Sequence, residues 1–161
     1  MPIYMKYEGI KGTVTAKGEH NGWIELQSAQ LGTNLHTPSH TGNGTNRPTG
    51  AVFQTDIVIT KMQDSASPLL FQEAISGKGR TVTIDFVKTE KGKEVTYLSI
   101  EIKDAMISGY NISGHGGDSN ARPMETLSVN FTKITYTAKP TVSDPQEKPI
   151  RAEWDLAVGG G

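Results

Sequence analysis

Only one stretch of this chain reads as the start of a helix, and it follows directly on a strand with apolar residues on both faces. Val58–Phe71 carries the strand end, a short polar turn and the sequence Ser67-Pro68-Leu69-Leu70-Phe71. Ile57 and Ile59 face one way and Val58 the other, so both faces of that strand are expected to be partly covered. Ser67 suits an N-cap and Pro68 the first helical position, where a missing N–H costs nothing. Leu70 with Ala74 and Phe71 with Ile75 make i,i+4 apolar pairs, and Gly77 suits a left-handed residue just past the end. The helix therefore covers about 67–76. A helix this short is marginal by itself, so its apolar stripe has to cap a sheet or plug the end of a barrel.

Nearly everything else alternates with the period of a strand. Ile3, Met5 and Tyr7 oppose Tyr4, Lys6 and Glu8. Ile24 and Leu26 oppose Glu25 and Gln27. Val82, Ile84 and Phe86 lead to a hairpin turn at Glu90-Lys91-Gly92-Lys93, where glycine supplies the left-handed position. On the return strand the apolar parity flips at Tyr97/Leu98, which predicts a bulge or a change of packing partner. Residues 105–113 read as a further strand. Leu127, Val129 and Phe131, then Ile134 and Tyr136, read as one long strand whose parity also flips. Two long strands that switch faces predict a sheet curling into a barrel. The fold class expected is mainly β: an antiparallel β-barrel of two sheets with one short α-helix and long polar loops. The 161 residues fit a single domain, 1–161. The long loop is 32–50, the second polar loop is 114–123, and 159–161 form a flexible tail.

The 32–50 loop contains almost nothing that can be buried, and structureless loops of that length are functional or order only in an assembly. His36 and His40 have the spacing that could hold a metal on a helix, but Pro38 and the surrounding glycine, serine and threonine forbid one. His20 lies in a turn and His115 between glycines. No Gly-x-Ser-x-Gly elbow and no phosphate loop exist. The chain has no cysteine, which removes disulfides and thiolate metal sites. The net charge of −1 gives no reason to expect nucleic acid as a partner, and no apolar run approaches the ~20 residues of a membrane span. The expectation is a non-enzyme with no catalytic residues, cofactor or metal. The amino terminus lacks the pattern of a secretory signal, so a cytoplasmic product is expected, one that leaves the cell only through a dedicated machine.

Several pieces in order then resemble one family. They are Tyr7-Glu8-Gly9-Ile10-Lys11-Gly12, Glu19-His20 with Gly22-Trp23-Ile24-Glu25-Leu26, and Ile59-Thr60-Lys61 with Asp64–Leu69. Gly77, Ile107-Ser108, Gly116-Gly117, Arg122–Glu125, Leu127–Ile134 and Trp154 follow. The chain resembles the Hcp (haemolysin-coregulated protein) family of bacterial type VI secretion. The resemblance implies a barrel of two sheets flanked by a helix. It also implies homo-hexameric rings stacked into a tube inside a contractile sheath. Further implied partners are the spike protein, the baseplate and effector proteins in the lumen, with release from the cell when the sheath contracts. On that footing Leu35, His36, His40 and Arg47 are expected in a ring-stacking loop. Gln27, Ser28 and Gln30 are expected at the lumen, and the ring interface on the strands at 22–31, 53–61 and 124–137. The alternative left open is a monomeric β-barrel that binds a small ligand inside.

Overall fold

The computed structural model describes residues 1–15, 18–35, 52–117, 120–139 and 148–156. In chain order the elements are β1 (Ile3–Tyr7), β2 (Ile24–Leu26), β3 (Ser28–Gln30), β4 (Thr33–Leu35), β5 (Val52–Gln54) and β6 (Ile57–Met62). They continue with α1 (Ser67–Ser76), β7 (Arg80–Glu90), β8 (Lys93–Ser113), β9 (Met124–Asn130), β10 (Lys133–Ala138) and β11 (Ile150–Asp155). Every strand pairing among them is antiparallel. The mainly β, antiparallel fold with one helix is the one expected from the alternation.

Two sheets share one strand. The first runs β2-β1-β7-β8 and continues through β10 to β11; the second runs β8-β9-β6-β3. β8 is 21 residues long and belongs to both. Its first part pairs with β7 and β10, its second part with β9. Residues 105–113 are thus not the separate strand expected. The chain bends at Asp104, which has φ 54°, and the ladder continues. The long strand expected at 127–136 is instead two strands: β9 lies in the second sheet and β10 in the first, with Phe131 buried at the break. The parity flip there marked a change of sheet. The flip at Tyr97/Leu98 is a bulge, as predicted: Phe86 pairs with Leu98 and Val87 with Thr96, leaving Tyr97 as the extra residue. The turn between β7 and β8 has Lys91 at φ 49° and Gly92 at φ 76°, the paired left-handed residues of a two-residue hairpin.

The hydrogen-bonded ring does not close. Its path ends at β2 on one side and β3 on the other. The chain itself spans that corner, because only Gln27 separates the two strands, and its N–H donates to the Thr60 carbonyl at 2.7 Å. Part of the expected 32–50 loop is also strand, since Thr33–Leu35 pair with Val52–Gln54. Residues 36–51, and the expected tail 159–161, lie outside the described residues. No helix among the described residues is long and apolar enough to cross a membrane.

The sheets enclose one core, in which Ile24, Ile57, Ile59, Val82, Ile84, Ile102 and Leu127 are buried. Each such side chain contributes about 1.5–3 kcal/mol by leaving water, so this cluster outweighs any single polar contact. α1 adds little to it: Leu70 is its one fully buried apolar side chain. The helix also starts and ends differently from expectation. The N-cap position is Ala66, with no side-chain cap. The Ser67 hydroxyl accepts the Asp64 N–H at 2.9 Å, and Asp64 Oδ1 accepts the Ala66 N–H at 2.9 Å. Gly77 is extended, with φ −62° and ψ 139°; glycine is needed there because a Cβ would run into the Glu73 carbonyl.

Close backbone approach also decides Gly12. Its N–H donates to the Gly22 carbonyl at 2.7 Å, and an added Cβ would overlap the Trp23 carbonyl. Gly12→Ala should therefore destabilise the fold by about 1–3 kcal/mol. Gly116→Ala, where a Cβ meets nothing within 4 Å, should stay within about 0.5 kcal/mol of the parent. Urea unfolding midpoints of the two variants measure the contrast.

Candidate functional site

The strand parity that buries Ile57 and Ile59 also points Lys61 inward, and the parity that buries Leu127 and Val129 points Glu125 inward. The two are cross-strand neighbours, both fully buried. Lys61 Nζ lies 2.6 Å from Glu125 Oε2 and 3.0 Å from Asp64 Oδ1, and donates to the Met62 carbonyl at 2.9 Å. The Ser67 hydroxyl donates to Glu125 Oε2 at 2.7 Å, and Tyr110 donates to Glu125 Oε1. Burial raises the Tyr110 phenol above its ordinary pKa; the hydrogen bond to Glu125 and the charges of Glu125 and Asp64 push the same way. The proton stays on the phenol, which keeps it a donor. This knot joins β6, β9, β8 and the first turn of α1. Taking two charges out of water costs several kcal/mol, so such a pair specifies an arrangement more than it stabilises one. Sequence reading missed it, although a charged residue at the inward parity of two strands was the available signal.

A second polar cluster lies on the other side of the first sheet. His20 Nε2 is 2.8 Å from Asp85 Oδ2, and Ser99 Oγ donates to Asp85 Oδ1 at 2.6 Å. The imidazole packs between Tyr4, at 5.0 Å between centroids, and Trp23, edge-on at 4.7 Å. The Tyr4 phenol is raised above its ordinary pKa, first by burial and then by the charge and hydrogen bond of Glu94. Ser99 addresses the carboxylate, while the buried Thr96 hydroxyl lies 3.5 Å from the His20 Nε2 that faces Asp85. These groups pin the 18–22 turn to β7.

The outer face of the second sheet is chemically distinct. Ser28 and Gln30 of β3, Val58 and Thr60 of β6, and Thr126 and Ser128 of β9 face outward in register, and none carries a charge. The Ser28 and Thr60 hydroxyls meet at 2.5 Å. Of the expected lumen residues, Ser28 and Gln30 stand on this face and Gln27 is exposed at its corner. The structure does not gather the expected stacking residues: Leu35 ends β4 opposite Val52, while its side chain and His36, His40 and Arg47 lie outside the described residues.

Exposed apolar side chains gather in one place on α1 and β8, where Phe71 and, one turn on, Ile75 stand near Ile112. Phe71 meets Tyr110 edge-on at 5.6 Å, and a groove of about 470 Å³ is lined by Pro68, Phe71, Tyr110 and Ile112. The pair Phe71/Ile75 thus faces solvent; only the Leu70/Ala74 side of the expected stripe faces the core. On β10 and β11, Tyr136, Ile150 and, at the far end of β11, Leu156 are also exposed.

Removing one partner of the knot leaves a buried charge unpaired. Glu125→Ala should cost about 3–5 kcal/mol, whereas the double change Lys61→Met with Glu125→Leu should fall within a few kcal/mol of the parent, on either side. Urea denaturation of the three proteins reads both outcomes.

Comparison with known proteins gives a consistent answer. The sequence profile described as "Type VI secretion system effector, Hcp" matches residues 4–137. The chain is 28% identical over 151 residues to the Major exported protein of Pseudomonas aeruginosa, covering 84% of this chain and 88% of that protein. It is 26% identical over 104 residues to Protein hcp1 of the same organism, spanning 63% of each. Among solved structures, a type six secretion system protein superposes with a TM-score of 0.86 at 22% identity, covering 98% of this chain and 97% of the other. Hcp1 from Salmonella typhimurium superposes at 0.76 with 23% identity, covering 99% and 97%. The chain belongs to the Hcp family of type VI secretion proteins.

Proposed function

We propose that this protein is a structural subunit of a type VI secretion tube. Copies join head-to-tail into hexameric rings, the rings stack, and the lumen carries effectors until the tube is expelled. The observation that carries the reading is the division of the surface. A closed ring built head-to-tail needs two different complementary patches on each copy. In place of the strand faces at 22–31, 53–61 and 124–137 expected to join the ring, we assign the contact to the exposed apolar residues of α1 with Ile112 of β8 and to those of β10 and β11, since exposed apolar area marks protein contacts. The uncharged outer face of β3, β6 and β9 supports a lumen lined by Gln27, Ser28 and Gln30, a surface that passes cargo without holding it by charge. The chain has no catalytic role in this reading, and its partners are its own copies and the spike, sheath and baseplate of the machine. It assembles in the cytoplasm and is exported when the sheath contracts.

The alternative, a monomeric barrel with a ligand inside, is disfavoured by packing. The core side chains fill the space between the sheets. The apolar cleft at the mouth, between Leu31, Phe86, Leu98 and Tyr136, holds about 200 Å³, below the ~300–1,000 Å³ usual for a ligand pocket.

Native mass spectrometry of the full chain should show a six-subunit species, and a clean monomer at high concentration would overturn the ring. The loop expected to stack the rings, with Leu35, His36, His40 and Arg47, has its own test. Deleting 33–49, which takes β4 with it, should leave a folded, predominantly β barrel that no longer forms long tubes in electron micrographs. Tubes of normal length from that variant would remove the loop from the contact.

A further inference from the structure

Three polar atoms stand unpartnered where the first sheet meets α1. Tyr7 ends β1, Glu73 lies in the C-terminal half of α1, and Arg80 opens β7. Tyr7 Oη, Glu73 Oε2 and Arg80 Nε are all buried, and none has a hydrogen-bond partner among the described residues. They are three of the five side-chain atoms in that condition there. Native structures leave few buried polar groups unpaired, so three at one junction call for a shared cause.

The contact between Arg80 and Glu73 supplies it. Arg80 Nη2 donates to Glu73 Oε1 at 3.2 Å. A guanidinium that meets a carboxylate side-on commonly makes a second, parallel bond from Nε to the other oxygen. Here Nε and Oε2 are the two atoms without partners, so the fork is closed on one side and open on the other. The Tyr7 phenol feels the same pair. Burial first, then the charge of Glu73, raises it to about 12, and the charge of Arg80 acts against them. The Tyr7 ring packs in the apolar core, but its hydroxyl, in a residue only 2% exposed, has no path to bulk water. Two glycines flank the fork. A Cβ would stand 3.6 Å from Arg80 Nη1 at Gly9 and 3.7 Å from Glu73 Oε2 at Gly77, so at neither position does a side chain press on it.

We propose that the open side of the Arg80–Glu73 fork binds one internal water molecule, which Tyr7 shares. The water accepts from Arg80 Nε–H and from the Tyr7 hydroxyl, and donates to Glu73 Oε2. Three bonds are the usual complement of a buried water, and each unpartnered atom receives one. The site ties the end of β1, the C-terminal half of α1 and the start of β7 together. That half of the helix has few other ties: Leu70 is the one fully buried apolar side chain of α1, and Ile75 is 70% exposed. The site belongs to the single chain and does not depend on ring formation.

Tyr7→Phe tests it by sign. A hydroxyl bonded to a held water stabilises the fold, so its removal should lower the urea midpoint, with the folding constant falling about fivefold at fixed protein concentration. A buried hydroxyl that bonds to nothing is a net cost, and replacing it by hydrogen would raise the midpoint. A raised or unchanged midpoint overturns the proposal. The second reading is a crystal structure of the parent chain at atomic resolution. One solvent peak should lie within about 2.5–3.2 Å of Tyr7 Oη, Glu73 Oε2 and Arg80 Nε together. Absence of that peak, as when Nε closes directly onto Oε2, overturns the proposal even if the phenylalanine variant is destabilised.

Discussion

One strand has to serve two sheets, and the rest of the architecture follows from how β8 does so. Its first part carries the β7 hairpin on one side and β10 on the other; its second part carries β9. The turn from one sheet to the other is made at a single non-glycine residue, Asp104, in the left-handed region. That conformation costs of order 1 kcal/mol or more for a residue with a Cβ, and Asp and Asn bear it best among such residues. The bend obliges the β9–β10 segment to turn with it, so their junction at Phe131-Thr132 falls opposite Asp104 and Ala105. Buried Phe131 then fills the inside of the fold where two ladders part.

The energetic division of labour is unequal. The aliphatic cluster supplies the free energy that folds the chain, at about 25 cal/mol for each Å² of apolar surface buried. The Lys61–Glu125 pair adds little net stability, because desolvation offsets most of its attraction. Its effect is geometric. A lysine whose three protons are shared among Glu125, Asp64, the Ser67 hydroxyl and the Met62 carbonyl allows few arrangements of the 62–67 turn. The start of α1 is set by that polar demand, which explains why Ser67 gives up the expected capping role: its hydroxyl is drawn inward to Glu125. The phenol of Tyr7, raised to about 12 chiefly by burial and further by Glu73, is neutral throughout the physiological range and packs in the same core as an apolar group.

Much of this fold was legible in the sequence because its signals are local. Alternation located the strands, Glu90–Lys93 located the hairpin, and a single parity error at Tyr97 located the bulge. The helix span was legible too, from Pro68 at one end and Gly77 at the other. What escaped depends on pairs distant in sequence. Whether the second parity flip, near Phe131, meant a bulge or a change of sheet could be decided only by knowing which strands flank it. Strand β4 needs β5 across residues 36–51, and nothing in Thr33–Leu35 alone announces it. Of the site residues, Ser28 and Gln30 follow from period-two alternation once β3 is placed. The stacking residues followed from family resemblance, a different kind of warrant. Lys61 and Glu125 stand at the inward parity of their strands, but the burial of each depends on the other across the ladder, a pairing distant in sequence.

The distribution of charge then bears on why a chain like this offers surfaces instead of a chemical site. Among the described residues the ionised groups of the interior are spent on one another, Lys61 on Glu125 and Asp64, Asp85 on His20. The middle of the outward face of β3, β6 and β9 is uncharged, and at one end the Asp56 carboxylate accepts from Asn130 and Ser108. Uncharged hydroxyl-rich strands attract diverse proteins weakly and hold none of them tightly. On the proposed tube reading that face would be the wall of the lumen, and contacts between copies would fall to the exposed apolar residues of α1, β10 and β11.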